Sequence, residues 1–378
     1  MIDRLNALIE RVRDAATHST PLRLQGHASK DFYGEAAPGT PLSLRDYQGI
    51  VSYEPTELVV TARCGTPLIE LESTLAERGQ CLAFEPPRFG GAGTVGGMVA
   101  SGLAGPARAS VGGVRDFVLG VELINGRAQV LRFGGQVMKN VAGYDVARLM
   151  VGALGTLGIV TEVSLKVLPI APAQTTLCFA LTQAEALGHL HTWLGQPLPI
   201  NASLWAPLSD GTEGPRRAPG QLWLRLRGAH AAVEAACAQL LAQAPGQRLE
   251  SAQAQTLWDA ERDQRASFFN PPDTDACLWR LSLPPTAAAL DLPYAQRVDW
   301  HGGQRWLWAP ASAAQSLRTL AAQAGGSATL YRAGAAAAPH DVPRFDALTP
   351  ALLQIHQRLK AEFDPVGIFN PGRLYHGL

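Results

Sequence analysis

Apolar residues recur at helical spacing along the opening MIDRLNALIERVRDAATHS. Ile2, Leu5, Leu8, Ile9 and Val12 stand among charged neighbours, which predicts an amphipathic helix. The pattern then shortens. Pro21–Leu24 and Glu57–Ala62 read as strands, and Gly65-Thr66-Pro67 reads as a helix start, with Thr66 as the N-cap and Pro67 in the first helical position. Leu68, Leu71 and Leu75 line one face of that helix, Gly79 ends it, and Gln80–Phe84 returns as a strand. Phe117–Ile124, Ala128–Phe133 and Gly158–Val167 are also strand-like. Glycine and short strands over 25–170 have the texture of an α+β domain with functional loops, not of regular βαβ winding.

Past Pro172 the pattern changes again. Thr175–Leu181, Ala202–Ala206, Gln221–Arg227, Cys277–Leu283, Arg297–Trp300, Arg305–Trp308 and Thr329–Arg332 alternate as strands, with Gly302-Gly303 as a hairpin turn. Gln183–Leu194, Ala229–Ala242 and Ala311–Ala322 read as helices. An antiparallel sheet with its helices on one face is the simplest packing of that order. Leu208–Gly220 reads as an exposed loop, Asp341–Phe363 as a helical region and Asp364–Tyr375 as a turn-rich tail. No repeat of fixed period is present.

The chain has 378 residues, of which 47% are hydrophobic and 17% charged, enough for two domains. A formal net charge of +0 removes the electrostatic case for nucleic acid or an anionic membrane surface. No stretch approaches the about 18 apolar residues of a membrane-spanning helix, and the opening lacks the apolar core of a signal peptide. The expectation is a cytoplasmic protein without a direct membrane span, with any membrane association made through partner subunits. Five scattered cysteines without a C-x-x-C argue against a disulfide framework and against a metal or iron–sulfur site in this chain.

Candidate chemistry concentrates in FGGAGTVGGMVASGLAGP at 89–106, which contains a literal G-x-G-x-x-G with Asp116 downstream. The context rules out a dinucleotide fold. Such a turn needs an apolar strand before it and a long helix after it. Here Glu85-Pro86-Pro87-Arg88 precedes the glycines, and Gly102, Gly105 and Pro106 cut short any helix after them. Two readings of the glycines stay open: an anion-binding concavity of uncovered backbone N–H groups around Thr94-Val95-Gly96-Gly97, or a plain flexible loop.

Several segments in register point further. They are Leu24-Gln25-Gly26-His27-Ala28-Ser29-Lys30, then Glu85-Pro86-Pro87, then Thr94–Gly102, Gly112–Gly120 and Gly152–Thr161, with the tail Phe363–Leu374. Together they resemble the FAD-binding domain of the vanillyl-alcohol oxidase (PCMH-type) flavoprotein superfamily. Val137–Asp145 resembles, more narrowly, the flavin-binding E-type subunits of bacterial glycolate oxidases. The resemblance implies an α+β fold: a PCMH-type FAD-binding domain of two α+β subdomains at 1–171, a smaller α/β cap with an antiparallel sheet at 172–345, and a C-terminal segment at 346–378 returning to the FAD domain.

It also implies roles. Gly26, His27, Ala28, Ser29 and Lys30, with the turn Thr94, Val95, Gly96 and Gly97, would wrap the FAD diphosphate, and Pro87 would also belong to the cofactor site. Ser101, Gly102 and Gly112 would lie along the flavin or ribityl chain. Asp116 would fix the following strand or a cofactor hydroxyl, the alternative being a plain turn cap. Ile159 and Val160 would offer backbone groups to the ring ends, and Asn370 would close the site, the alternative being a turn former. Relatives with covalent flavin carry a His where Ala28 stands, so non-covalent FAD is expected.

The superfamily's hydroxyacid dehydrogenases carry a His-rich metal and substrate segment in the cap, and nothing like it occurs here. His189 and His191 point to different helix faces, and His301 beside the Gly302-Gly303 turn is expected to be exposed. Arg225, Arg227, Arg280, Arg332 and Tyr331 are the cap groups suited to a carboxylate, with a solvated sheet edge as the alternative. No catalytic residue can be named. Three functional readings remain. The first is an FAD-dependent oxidoreductase subunit that relays electrons in a complex oxidising a small 2-hydroxy acid such as glycolate, alongside a paralogous flavin-containing D-type subunit and an iron–sulfur subunit. The second is a self-sufficient FAD-dependent 2-hydroxy acid oxidoreductase. The third is a non-catalytic flavodomain scaffold.

Overall fold

The computed structural model describes residues 2–91, 93–135, 145–208, 220–335 and 342–378. Residues 137–144 of the E-type motif and 209–219 of the expected loop lie outside the described residues. The chain forms two compact units: residues 1–104, 112–170 and 347–378 make the first, and residues 105–111 with 171–346 make the second.

The first unit opens with α1 (Ile2–Thr17), which buries Leu8, Val12 and Ala15 at helical spacing. Strands β1 (Leu22–Gln25) and β2 (Thr40–Ser43) pair in parallel. A five-stranded antiparallel sheet has the order β3-β4-β8-β6-β7, where β3 is Ile50–Glu54, β4 Val59–Arg63, β6 Val118–Ile124, β7 Val130–Gly134 and β8 Ile159–Lys166. The short pair β5 (Gln80–Cys81) and β9 (Leu168–Pro169) completes the strands. Gln80–Phe84 was expected to run further; Leu82 instead turns back to accept from the Glu85 N–H. Helix α2 (Leu68–Ala76) buries Leu68, Leu71 and Leu75. Its N-cap is Pro67, not Thr66, because the Thr66 hydroxyl is occupied by the backbone of Gly49.

Helix α3 (Val95–Ser101) is capped by Thr94. The helical turn α4 (Arg108–Val111) belongs to the second unit, and the chain returns through α5 (Val114–Phe117) and α6 (Val146–Leu149). Asp145, last residue of the E-type motif, caps α6 by accepting from the Arg148 N–H at 3.2 Å.

The second unit is an eight-stranded sheet in the order β13-β10-β12-β11-β15-β16-β14-β17. Its strands are β10 (Ala173–Ala180), β11 (Ile200–Pro207), β12 (Gly220–Gly228), β13 (Gly246–Arg248), β14 (Ala276–Ser282), β15 (Gln296–Asp299), β16 (Gln304–Pro310) and β17 (Ser327–Arg332). Helix α7 (Gln183–Leu194) starts at a capping box in which Thr182 and Glu185 exchange bonds. It packs with α8 (His230–Gln243) on Leu177, Trp205, Leu224 and Val298.

Not all helices share that face. Helix α9 (Ser251–Arg262) lies on the other side, where Trp258 packs on Ala202 and Leu204. Its buried residues are Ala254, Trp258 and Glu261, a stripe with a single large apolar side chain, so the pattern did not announce it. Helix α10 (Ala314–Gln323) packs on Trp279, Leu307 and Leu330.

The last helix, α11 (Pro350–Phe363), belongs to the first unit and prepares the tail. Lys360 and Asp364 form a buried pair at 2.6 Å. Asp364 also accepts from the N–H groups of Ile368 and Phe369, while the Lys360 ammonium donates to the carbonyls of Thr156 and Phe369. A buried ion pair is favourable only with such additional bonds. Phe369 then bridges to Leu22.

Candidate functional site

The first unit contains a cleft with two ends that share Leu24, Gln25, Gly26, Gly97, Ala100, Leu154 and Asn370. One end, of about 490 Å³, is lined further by His27, Ala28, Ser29, Lys30, Asp31, Thr94, Ser101 and Arg373. The other, of about 550 Å³, is lined by Leu44, Gly96, Met150, Ala153, Gly155, Leu157, Gly158, Ile159 and Val160. Both are of the size of ligand clefts.

The polar end is built by the main chain. Among the described residues, none accepts from the backbone N–H groups of Gly26, His27, Ala28 and Ser29. Consecutive uncovered N–H groups at a cleft wall form an anion concavity. Ala28 has a left-handed φ of 59°, as such loops require. The buried Nδ1 of His27 also lacks a partner among the described residues. A Cβ on Gly26 would come within 2.5 Å of the Thr94 hydroxyl, so only glycine allows this approach. Arg373 holds the loop from below, donating to the carbonyls of Asp31, Tyr33 and Glu35 at 3.2, 3.0 and 3.1 Å.

The turn Thr94–Gly97 works differently. The Val95 N–H donates to Thr66 O, the Gly96 N–H to Cys64 O and the Gly97 N–H to Thr94 Oγ1. These amides fix α3, and what the turn offers the cleft is the bare surface of Gly96 and Gly97. At the apolar end, Ile159 and Val160 lie on the wall, and the N–H groups of Gly155 and Gly158 have no acceptor among the described residues. Asn370 accepts from the Leu24 N–H at 2.8 Å and donates to Leu154 O at 2.7 Å, tying β1 to the Ala153–Gly155 loop at the wall.

The remaining residues singled out from the sequence stand outside both linings. Val95 is fully buried, and Pro87 is buried beyond the Leu82–Glu85 turn. Gly102 ends α3 with a left-handed φ of 63°, and a Cβ there would come within 3.3 Å of the Gly152 backbone. Gly112 faces Asp116, whose carboxylate accepts from the Gly113 N–H at 2.8 Å and caps α5. Sequence reading did not single out Arg373, Gln25 or the Lys360–Asp364 pair. Arg373 and Asp364 fall in the tail motif and Gln25 in the Leu24–Lys30 motif, but long-range hydrogen bonds to carbonyls have no sequence signature.

In the second unit, Arg225 is 2% exposed. It stacks over Trp258 at 4.8 Å and donates to Asn201 at 2.8 Å, so the solvated-edge alternative fails for it. Arg227 is paired with Gln174 near the surface. Arg280 lies over Tyr331 at 5.5 Å, and Tyr331 accepts from Gln264. His301 is 4% exposed, not surface as expected, and bonds Ser110 and Ser203. Burial pushes its imidazole down to about 4. His189 stacks on Trp193, and His191 bonds Pro285 O.

A family model described as an FAD binding domain matches residues 3–134. The whole chain is similar to glycolate oxidase subunit GlcE of Escherichia coli K12, 44% identical over 99% of this chain and 98% of that one. The chain belongs to the GlcE family of glycolate oxidase subunits. Other relatives match a smaller share of the chain. Glycolate oxidase subunit GlcD of Bacillus subtilis is 30% identical over 42% of this chain and 34% of its own length. A D-lactate dehydrogenase of Anaerostipes hadrus is 33% identical over 39% of this chain and 30% of its own. The fold is that of p-cresol methylhydroxylase, with a TM-score of 0.72 at 14% identity over 98% of this chain and 87% of that one. The α+β, PCMH-type fold implied by the sequence therefore holds. No helix among the described residues is long and apolar enough to cross a membrane.

Proposed function

We propose that this chain is the FAD-binding subunit of a glycolate (2-hydroxy acid) oxidoreductase, holding its flavin without a covalent bond and relaying electrons within an assembly. The observation that carries the reading is the run of N–H groups at Gly26–Ser29, in the cleft lining, that have no acceptor among the described residues. Four donors in sequence suit a diphosphate, and the apolar end suits aromatic rings. Bound FAD supplies two-electron acceptance and one-electron release; that chemistry belongs to the cofactor.

The chain's own residues do the rest. Gly26–Ser29 offer N–H groups to the diphosphate, with Ser29 and Lys30 beside them. Gly96, Gly97, Gly155 and Gly158 allow close approach of a planar ring. Leu44, Met150 and Leu157 exclude water from that end. Ala28 gives no nucleophile for a covalent link. Partners of the assembly are a paralogous flavin-containing D-type subunit and an iron–sulfur subunit. Membrane association, where present, runs through them, this chain remaining in the cytoplasm.

The test is the visible spectrum of the purified chain, acid release of its cofactor, and anaerobic addition of glycolate or D-lactate. A yellow protein that releases FAD and bleaches only when the D-type chain is added supports the proposal. Bleaching by the lone chain within seconds makes it a dehydrogenase in its own right. A colourless protein that cannot be reconstituted with FAD overturns the proposal in favour of a scaffold.

A further inference from the structure

The last helix keeps its apolar stripe out of the core. Along α11, Leu352, Ile355 and Leu359 recur at the i, i+3, i+7 spacing that normally faces inward, yet the buried residues of the helix are Lys360 and Phe363. Leu352 is 47% exposed and Ile355 53%. Ile355 and Leu359 instead line an open groove of about 860 Å³ within the first unit, together with Leu149, Val151 and Leu374.

The groove and the cofactor cleft share a wall. Along the single segment Leu149–Gly158, Met150, Leu154, Gly155 and Gly158 line the apolar end of the cleft, whereas Leu149, Val151, Gly152 and Thr156 line the groove. Ala153 and Leu157 line both, so one thickness of chain separates the two. The segment is fixed by neighbours of both kinds. The Gly152 and Leu154 N–H groups donate to Val99 O and Ala100 O of α3 at 3.0 and 2.8 Å, and Lys360 Nζ of α11 donates to Thr156 O at 2.7 Å.

Charge completes the picture. Arg115 lines the groove, and no acidic side chain does. The Lys360 charge is matched by Asp364, but Arg115 is exposed and has no acidic partner among the described residues. An apolar groove with an unbalanced guanidinium at its edge suits an apolar segment that carries a carboxylate.

We propose that this groove is the docking site of the electron-accepting partner of the assembly: a subunit with an iron–sulfur centre, which lays an apolar, carboxylate-bearing segment between α11 and the Leu149–Gly158 wall. This rests on the FAD reading above. Electron tunnelling falls steeply with distance, and a partner seated here is one segment away from the ring end of the cleft. Two electrons cross the wall one at a time, each reducing one oxidised iron–sulfur cluster of the partner, and two protons leave the reduced cofactor for water.

The test titrates the purified iron–sulfur subunit onto the full-length, FAD-loaded chain and onto its Ile355→Glu and Arg115→Glu variants. Neither residue lines the cofactor cleft, so FAD affinity and melting temperature should stay those of the parent. Ile355→Glu places a charge in the apolar groove and should weaken binding of the subunit about tenfold or more, the effect of a central interface residue. Arg115→Glu should slow association and remove most of its salt dependence. Electron transfer from photoreduced flavin to the iron–sulfur centre, followed anaerobically below saturation, should slow in both variants. Binding of the D-type subunit should not change.

A parent chain that binds the iron–sulfur subunit no more tightly than the variants overturns the proposal. So does a loss that falls on the D-type subunit, or on self-association of this chain, in place of the iron–sulfur subunit. A loss found only together with lower FAD affinity or earlier melting overturns it as well. Should the parent hold no FAD, the cofactor reading fails, and titration of the same subunit onto the apo chain decides the groove by itself.

Discussion

The two units place their chemistry in opposite materials. In the first, the cleft is lined by main chain: uncovered N–H groups at Gly26–Ser29, bare glycine at Gly96 and Gly97, and a loop held by carbonyl contacts from Arg373. In the second, a polar sheet face is built from side chains on separate strands and a helix: Arg225 on Trp258, Arg297 on Glu261, and Asp299 beside Gln304 and Trp306. A main-chain site is encoded in consecutive residues, whereas a side-chain site is dispersed across 225–306. The first kind can be read as a motif; the second exists only once the sheet is assembled.

The largest effect should come from the side-chain layer. Arg297 donates to Glu261 through Nε at 2.9 Å and through a second nitrogen, both residues being buried. Glu261→Ala leaves a buried guanidinium uncompensated, a loss of about 3–5 kcal/mol. Urea unfolding followed by tryptophan fluorescence should show it. A loss under about 1 kcal/mol would mean that the layer contributes little, and the comparison would break.

Next comes the main-chain cleft. Gly26→Val would push a side chain into Thr94, where overpacking costs about 1–3 kcal/mol. Flavin titration should show a loss of FAD affinity of about 10- to 100-fold, with the unfolding midpoint lowered by no more than that packing cost. FAD binding unchanged in this variant would remove the Gly26 loop from the site.

The third test is pH. Burial pushes the Asp299 carboxyl up to about 7 against bonds from Gln304 and Trp306 that lower it. Its folded value exceeds its unfolded one of about 3.8, so the folded state holds the proton more tightly, and stability is lost as pH rises from about 4 to about 7. His301 has the opposite sign. Its folded value of about 4 lies below 6.5, so stability is lost as pH falls through that interval. Asp299→Asn should therefore gain on the parent at pH 8 and little at pH 4, measured by denaturation at both. Equal gains at both pH values would contradict the assignment.

The smallest effect should be Thr94→Ala, which removes the N-cap of α3 for about 1 kcal/mol. Its FAD affinity should fall less than that of Gly26→Val, because the Thr94 hydroxyl already serves the Gly97 N–H.

Legibility divided along the same line. Gln183–Leu194 was readable to its ends because an apolar stripe and a Thr–Glu capping box coincide. Ser251–Arg262 was not, since its buried side includes Glu261, which looks solvent-facing until Arg297 is brought to it. His301 looked like a turn residue because Gly302 and Gly303 stand next to it. Its burial depends on Ser110 and Ser203, 191 and 98 residues away. At Thr94–Gly97 the glycine pattern was visible, but whether its amides face a ligand or the fold was decided by Thr66 and Cys64.

The sequence by itself determined what depends on neighbours along the chain: the FAD-domain motifs, the change of texture at Pro172, most strands, and the failure of the dinucleotide-binding context. These rest on local periodicity, proline and glycine geometry, and caps, all confined to a few residues. Tertiary structure alone decided which N–H groups stay uncovered, which arginines are buried, and that Gly105–Val111 is held by the cap sheet. Each of these is a question of where a donor's partner lies in space, and hydrogen bonds between distant residues leave no periodicity in the sequence.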